Sequence, residues 1–185
     1  MRVIAGSARG TQLVAPQGMK TRPTADRVRE ALFSIIMSRF ELAGARVLDI
    51  CAGTGSLGIE ALSRGAESCC FIEHDKDALA SLKKNLEKTR LSARARVLPI
   101  DVLKALRLLD GDRFGIVFFD PPYAAELYPA VLEALCSHEL VTADSLVVAE
   151  SAARTILPDR LGTFMKIDRR VYGDTALELY TLEVS

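Results

Sequence analysis

The chain has 185 residues, 24 basic and 24 acidic side chains and no formal net charge; 49% of it is apolar and 26% charged. Those proportions exclude a disordered, collagenous or disulfide-scaffold chain, and at this length one domain can bury about 70% of the surface that its unfolded form exposes. The neutral total hides an asymmetry, because residues 1–46 carry eight basic and three acidic side chains, a net of +5, and the remainder carries −5. A basic head on an acidic body points to an anionic partner such as nucleic acid.

In chain order, two β-prone stretches, Arg2 to Ala5 and Thr11 to Ala15, flank Gly6-Ser7-Ala8-Arg9-Gly10, which predicts a hairpin with Arg9 at its tip. The opening residues contain no apolar run of signal-peptide length, and no later window approaches a membrane span, so a soluble, cytoplasmic protein without a membrane partner is expected. Pro16 to Pro23 reads as a loop, and Thr24 as the N-cap of a helix whose Val28, Leu32, Ile35 and Ile36 recur at helical spacing up to Phe40. From Arg46 onward strands and helices alternate: strand to Ile50, helix Leu57 to Ser63, strand Cys69 to Glu73, helix Asp77 to Lys88, strand Arg96 to Ile100, helix Val102 to Leu109. Strand Phe114 to Phe119, helix Ala125 to Cys136 and strand Ser145 to Glu150 complete the series. Strands apolar on both faces, alternating with helices, predict an α/β fold with a parallel sheet covered by helices. Gly173-Asp174 between Met165 to Tyr172 and Thr175 to Val184 predicts a closing antiparallel hairpin. The expected organisation is a small appendage, residues 1–45, on a body of residues 46–185.

The cysteines, Cys51, Cys69, Cys70 and Cys136, form no CxxC pair, and Cys69 and Cys70 on one strand would face opposite sides of the sheet. Buried reduced thiols and no metal are expected.

The first strand of the body runs into a glycine loop with the spacing Gly53-x-Gly55-x-x-Gly58, and the next strand ends in Glu73. Glycines permit a tight turn and close approach of a ligand to the backbone, and the acid suits two ribose hydroxyls. That pattern alone would equally favour a nicotinamide or flavin dinucleotide. Asp49, ahead of the glycines, is placed to hold an ammonium, and Asp101, after the third strand, to accept from an adenine amino group. A ligand with an amino acid at one end and an adenosine at the other, S-adenosylmethionine, fits the set Asp49, Ala52, Gly53, Gly55, Gly58, Glu73, Asp101 and Val102. The competing reading makes Asp49 and Asp101 simple helix caps.

The fourth strand delivers Asp120-Pro121-Pro122-Tyr123. The lone pair of a nucleobase amine is delocalised into the ring. A carboxylate and a backbone carbonyl accepting its two hydrogens would free that lone pair and aim it. Asp120 and the Pro121 carbonyl suit those parts, Pro122 stiffens the turn, and Tyr123 offers a stacking face. A plain strand-ending turn and a linear proline motif are the competing readings.

These motifs resemble the class I S-adenosylmethionine-dependent amino methyltransferases. RVIAGSARGTQL, RPTADRVREALFSII, LDICAGTGSLGIEALSRGA and VYGDTALELY together resemble the bacterial 16S rRNA (guanine(966)-N(2))-methyltransferase family across essentially the whole chain. The resemblance implies a Rossmann-like, seven-stranded, mostly parallel sheet with a C-terminal antiparallel hairpin, and an N-terminal hairpin used for RNA. It also implies methylation of a guanine exocyclic N2, release of S-adenosylhomocysteine, and a monomer acting on 16S rRNA in a 30S or pre-30S particle. The family's loop often carries an aromatic or aliphatic residue where Cys51 stands. Arg9, Arg22 and Arg27 are the candidate phosphate contacts, although Arg27 could instead pair with Asp26 or Glu30. The residues themselves leave open a DNA or RNA adenine-N6 methyltransferase, a nicotinamide dehydrogenase and a non-enzymatic RNA-binding module.

Overall fold

A computed structural model describes residues 1–16, 23–121 and 127–183, apart from the side chains of residues 23–25. The elements follow as α1 (Pro23–Arg39), β1 (Arg46–Ile50), α2 (Ser56–Ser63), β2 (Ser68–Ile72), α3 (Lys76–Thr89), β3 (Ala95–Leu98), α4 (Val102–Leu108) and β4 (Ile116–Phe119). The chain continues through α5 (Leu127–Ser137), β5 (Leu146–Ala152), β6 (Arg160–Leu161), β7 (Phe164–Tyr172) and β8 (Thr175–Leu182). One sheet runs in the order β3-β2-β1-β4-β5-β8-β7-β6. Its first five strands pair in parallel, and β8, β7 and β6 close it antiparallel. The expected mixed sheet and closing hairpin are therefore present, with an eighth strand in the two-residue β6 at one edge.

Alternation along the strands divides the core into two layers. Val47, Cys69 and Phe118 pack with Leu32 and Phe33 of α1, Ile59 of α2 and Leu82 of α3. Leu48, Cys70 and Phe119 pack on the other face with Leu106 of α4 and Val131 and Leu135 of α5. Cys69 and Cys70 thus face opposite sides, as the two-residue period requires. Among the described residues no helix is long and apolar enough to cross a membrane.

Two sequence expectations move. Helix α1 begins at Pro23, a residue before Thr24, because proline's fixed φ and missing N–H suit a first helical turn. The N-terminal hairpin shows a single antiparallel bridge, Arg2 to Gln12, in place of two strands. Val3 and Leu13 N–H still bond across it to the Thr11 and Met1 carbonyls at 3.0 and 3.1 Å, but the Ile4 and Ala5 N–H groups reach the Glu60 carboxylate at 2.8 and 3.0 Å, and Ala8 N–H reaches the Ser63 hydroxyl at 2.9 Å. A carboxylate competes well for N–H donors because charge-assisted bonds are about twice as strong as neutral ones.

Glu60 is fully buried and also accepts from Arg64 Nε at 2.7 Å, while Arg29 Nε lies 3.7 Å away. Arg29, itself buried, bonds Asp26 at 3.0 Å and the Arg2 carbonyl. This buried cluster fastens α1 and the N-terminal loop to α2. Glu60→Ala should leave the buried Arg29 with the Asp26 carboxylate alone and the Ile4 and Ala5 N–H groups without their acceptor, and cost about 3–5 kcal/mol of unfolding free energy in chemical denaturation, with the largest gain in amide exchange at Ile4 and Ala5.

Candidate active site

The strands β1, β2, β4 and β5 run in parallel, so their carboxyl ends share one edge of the sheet. There the chain places Asp49 on β1, Glu73 just past β2, Asp120 just past β4 and Glu150 on β5. Open α/β sheets bind their ligands at this edge.

The glycine loop joins β1 to α2. Gly53 has φ +56° and Gly55 φ +76°, in the left-handed region that suits glycine. A Cβ on Gly53 would meet nothing within 4 Å, so the loop presents bare backbone to open space. Gly58 is required for a different reason: a Cβ there would lie 2.3 Å from the Phe71 ring and 2.6 Å from Cys69 Sγ. One residue ahead of the loop's turn, Cys51 holds φ +60° without being glycine, a strained conformation of the kind that clusters at functional sites. Burial, then the carboxylates of Glu73, Asp120, Asp49 and Asp101, push its thiol up to about 12, which leaves it protonated and unreactive.

Two acids are wired into the loop. Glu73 accepts from Gly53 N–H at 2.8 Å with one oxygen, and from the His74 and Asp75 N–H groups at 2.8 Å with the other. Asp49 accepts from Gly58 N–H at 2.9 Å, in the first turn of α2. Burial raises the Asp49 pKa from 3.8 to about 8; the Gly58 bond opposes that shift, and the charges of Asp120 and Glu73 add to it. Asp101 is exposed and caps α4, accepting from Lys104 N–H at 3.2 Å with one oxygen, while the other accepts no hydrogen bond among the described residues. Ala52 is half-buried and Val102 buried.

Asp120 is exposed at the end of its strand, although the protein around its carboxyl still raises its pKa by desolvation. Pro121 is buried beside it. Pro122 and Tyr123 lie outside the described residues. Of the candidate phosphate contacts, Arg9 and Arg27 are exposed and Arg22 lies outside the described residues. Asp26, one of the two acids weighed as a partner for Arg27, pairs with Arg29.

Three residues of this region were not singled out by their sequence. Asn85 of α3, fully buried, donates to the Thr54 carbonyl at 3.0 Å and the Val14 carbonyl at 2.9 Å, tying the glycine loop to the N-terminal segment. Tyr128 of α5 donates to the Glu150 backbone carbonyl and packs edge-on against Phe119, with centroids 5.0 Å apart. Glu150 itself is the acid at the end of the otherwise apolar run Leu146 to Ala149. The rule that picks Asp49 from β1 would have found it on β5.

Residues 1–181 match the family model described as Conserved hypothetical protein 95. The chain belongs to this family. It is 38% identical over 182 residues to the Bacillus subtilis protein YlbH, named as a candidate rRNA methyltransferase, covering 97% of this chain and 98% of that one. It is 34% identical over 183 residues to Ribosomal RNA small subunit methyltransferase D of Escherichia coli K12, covering 99% of this chain and 90% of that one. The solved structure of yhhF from Escherichia coli, named as a candidate methyltransferase, matches with a TM-score of 0.86 at 34% identity, covering 100% of this chain and 99% of that one. The family resemblance expected from the motifs is borne out, and so is the class I methyltransferase architecture.

A raised carboxyl favours the folded state most where it is protonated in both states, and that contribution is lost as pH rises through its folded pKa. For Asp49 the window runs from 3.8 to about 8. In the ligand-free protein, Asp49→Asn should therefore gain melting temperature relative to the parent as pH rises from 5 to 8. A constant difference across that range would contradict the assignment.

Proposed function

We propose that this chain is an S-adenosylmethionine-dependent methyltransferase that methylates the exocyclic N2 of a guanine in 16S rRNA. The observation that carries the reading is the sheet edge itself: acids from adjacent strands converge around a glycine loop whose Gly53 side is open, and Asp120-Pro121 stands next to it. The names of the relatives, rRNA methyltransferase and ribosomal RNA small subunit methyltransferase, support the substrate class.

The residues fit this cofactor. Asp49 is a desolvated carboxyl whose ionisation is costly until a cation approaches, and S-adenosylmethionine brings an ammonium and a sulfonium. Glu73, already accepting from Gly53 N–H, keeps lone pairs for ribose hydroxyls, and the second oxygen of Asp101 can accept from an amino group. Ala52, Gly55, Gly58 and Val102 complete the cradle. When bound, the cofactor supplies an electrophilic methyl group: its carbon–sulfur bond breaks as the nitrogen–carbon bond forms, and the sulfur leaves as the neutral thioether S-adenosylhomocysteine.

The chain's own part is positioning and proton handling. Asp120 and the Pro121 carbonyl accept the two hydrogens of the guanine amine, directing its lone pair out of the ring plane. The raised Asp120 carboxylate then takes the proton that the methylated nitrogen releases and passes it to water. Pro122 fixes the turn, and Tyr123 stacks on a base turned out of its helix. Residues 1–45 act as the RNA-contacting appendage, with Arg9, Arg22 and Arg27 on phosphates. The substrate is 16S rRNA in a 30S or pre-30S particle, met in the cytoplasm by a monomer.

Asp120→Ala should lower the rate of transfer by at least about 100-fold while S-adenosylhomocysteine affinity is retained. The deciding measurement is radiolabelled methyl transfer to undermodified rRNA, 30S particles and DNA, followed by nucleoside analysis. N2-methylguanosine from the ribosomal substrates is expected, and N6-methyladenine or labelled DNA would replace this reading with its rival. Arg9→Ala and Arg27→Ala should each reduce the slope of log affinity against log salt by about one, without changing the methylated nucleoside.

A further inference from the structure

The parallel ladder between β4 and β5 pairs Phe118 with Val148 and Phe119 with Ala149. The ladder ends there, and extending its register by one rung sets Asp120 beside Glu150, on strands about 4.8 Å apart, close enough for the Asp120 charge to act on Glu150. Hydrogen bonding continues past β4, since Asp120 N–H still reaches the Ile50 carbonyl at 3.4 Å. By the two-residue alternation, Glu150 lies on the face of Val148 and Asp120 on the face of Phe118, the face that carries Asp49 and the glycine loop. Asp120 and Glu150 are thus side by side at the open edge.

The backbone of Glu150 is held from two further directions. It pairs with Leu177 of β8, and its carbonyl accepts from Tyr128 Oη. The half-buried carboxylate, by contrast, receives no hydrogen bond among the described residues. A rigidly mounted acid with free acceptor positions beside a second acid is costly to keep unless a ligand rich in donors completes it. Burial, then the neighbouring Asp120 charge, raises its pKa to about 8, so the acceptor role belongs to the ionised form, which is populated above that pH or once N–H donors bind.

The Watson–Crick edge of guanine offers such a set: the N1–H and the two hydrogens of the N2 amine are adjacent. We propose that Glu150 determines the base specificity of this site, its carboxylate accepting the guanine N1–H while Asp120 accepts from the neighbouring N2 amine. This inference rests on the reading of the site as a guanine N2 methyltransferase. It adds the reason for choosing guanine, because adenine carries a lone pair at N1 and would set it against the Glu150 carboxylate. Sites built to bond a substrate N–H reject analogues lacking it by about 10⁴–10⁵-fold, through the acceptor left unpaired.

The test replaces the target guanine of an rRNA fragment with 2-aminopurine, which keeps the reacting amine but has a lone pair in place of N1–H. The parent enzyme should methylate the guanine fragment and discriminate strongly against the 2-aminopurine one, in kcat/KM and in binding read by 2-aminopurine fluorescence. Glu150→Gln keeps the shape and can donate its amide hydrogens to the N1 lone pair. It should reduce the guanine-to-2-aminopurine ratio by at least about 100-fold, with S-adenosylhomocysteine affinity and melting temperature not reduced. Glu150→Asp withdraws the carboxylate without supplying a donor, so it should lose guanine activity and gain nothing on 2-aminopurine. An unchanged ratio in Glu150→Gln, or a gain on 2-aminopurine in Glu150→Asp, overturns the proposal. Failure of the parent enzyme to form N2-methylguanosine would instead overturn the reading on which it rests.

Discussion

Parallel strands end together, and here acids end with them. Asp49, Glu73, Asp120 and Glu150 occupy the carboxyl edge of four neighbouring strands, and burial, with their mutual repulsion added, raises the carboxyls of Asp49 and Glu150 there. Two of them are stabilised from within. Glu73 and Asp49 take the Gly53 and Gly58 N–H groups, and in doing so hold the loop between β1 and α2 in its left-handed turns. Asp120 and Glu150 stand at the same edge with no such bond to their carboxylates among the described residues.

The head of the chain answers to the same electrostatics in a different way. Its excess of basic residues suggests a surface for a polyanion, yet part of that charge is paired within the chain, at one buried site and two exposed ones. Arg29 is buried against Glu60, Arg39 reaches Asp168 at 3.0 Å, and Arg46 reaches Asp112 at 2.8 Å. The opposite net charges of head and body therefore partly pair with each other. Arg2, Arg9 and Arg27 remain exposed for an external partner. Through Asn85 the same N-terminal segment is bonded to the carbonyl of Thr54 in the glycine loop, so the part of the chain that would meet RNA and the part that would hold the cofactor share one buried amide.

Much of this was legible before any fold was known. The apolar strands, the glycine spacing, the acids that close β1 and β2, and Asp120-Pro121 all announce themselves by local chemistry, and each stands where the alternation of strand and helix puts it. Glu60 did not, because within the helical run from Ser56 to Ser63 it reads as a solvated face; the N-terminal loop, more than fifty residues earlier, buries it. The hairpin at the start of the chain was legible as a turn but not as a pair of strands, since its Ile4 and Ala5 donors are captured by that same glutamate.

Glu150 marks the boundary between the two kinds of information. Sequence alone placed an acid at the close of an apolar strand run there, a local pattern, although β5 itself continues past it to Ala152. It could not determine that this acid would stand beside Asp120, thirty residues away, since that neighbourhood depends on the order in which strands are laid side by side. The register of β4 against β5, fixed by burial of Phe118, Phe119, Val148 and Ala149 on the two faces of the sheet, decided which carboxylates would meet.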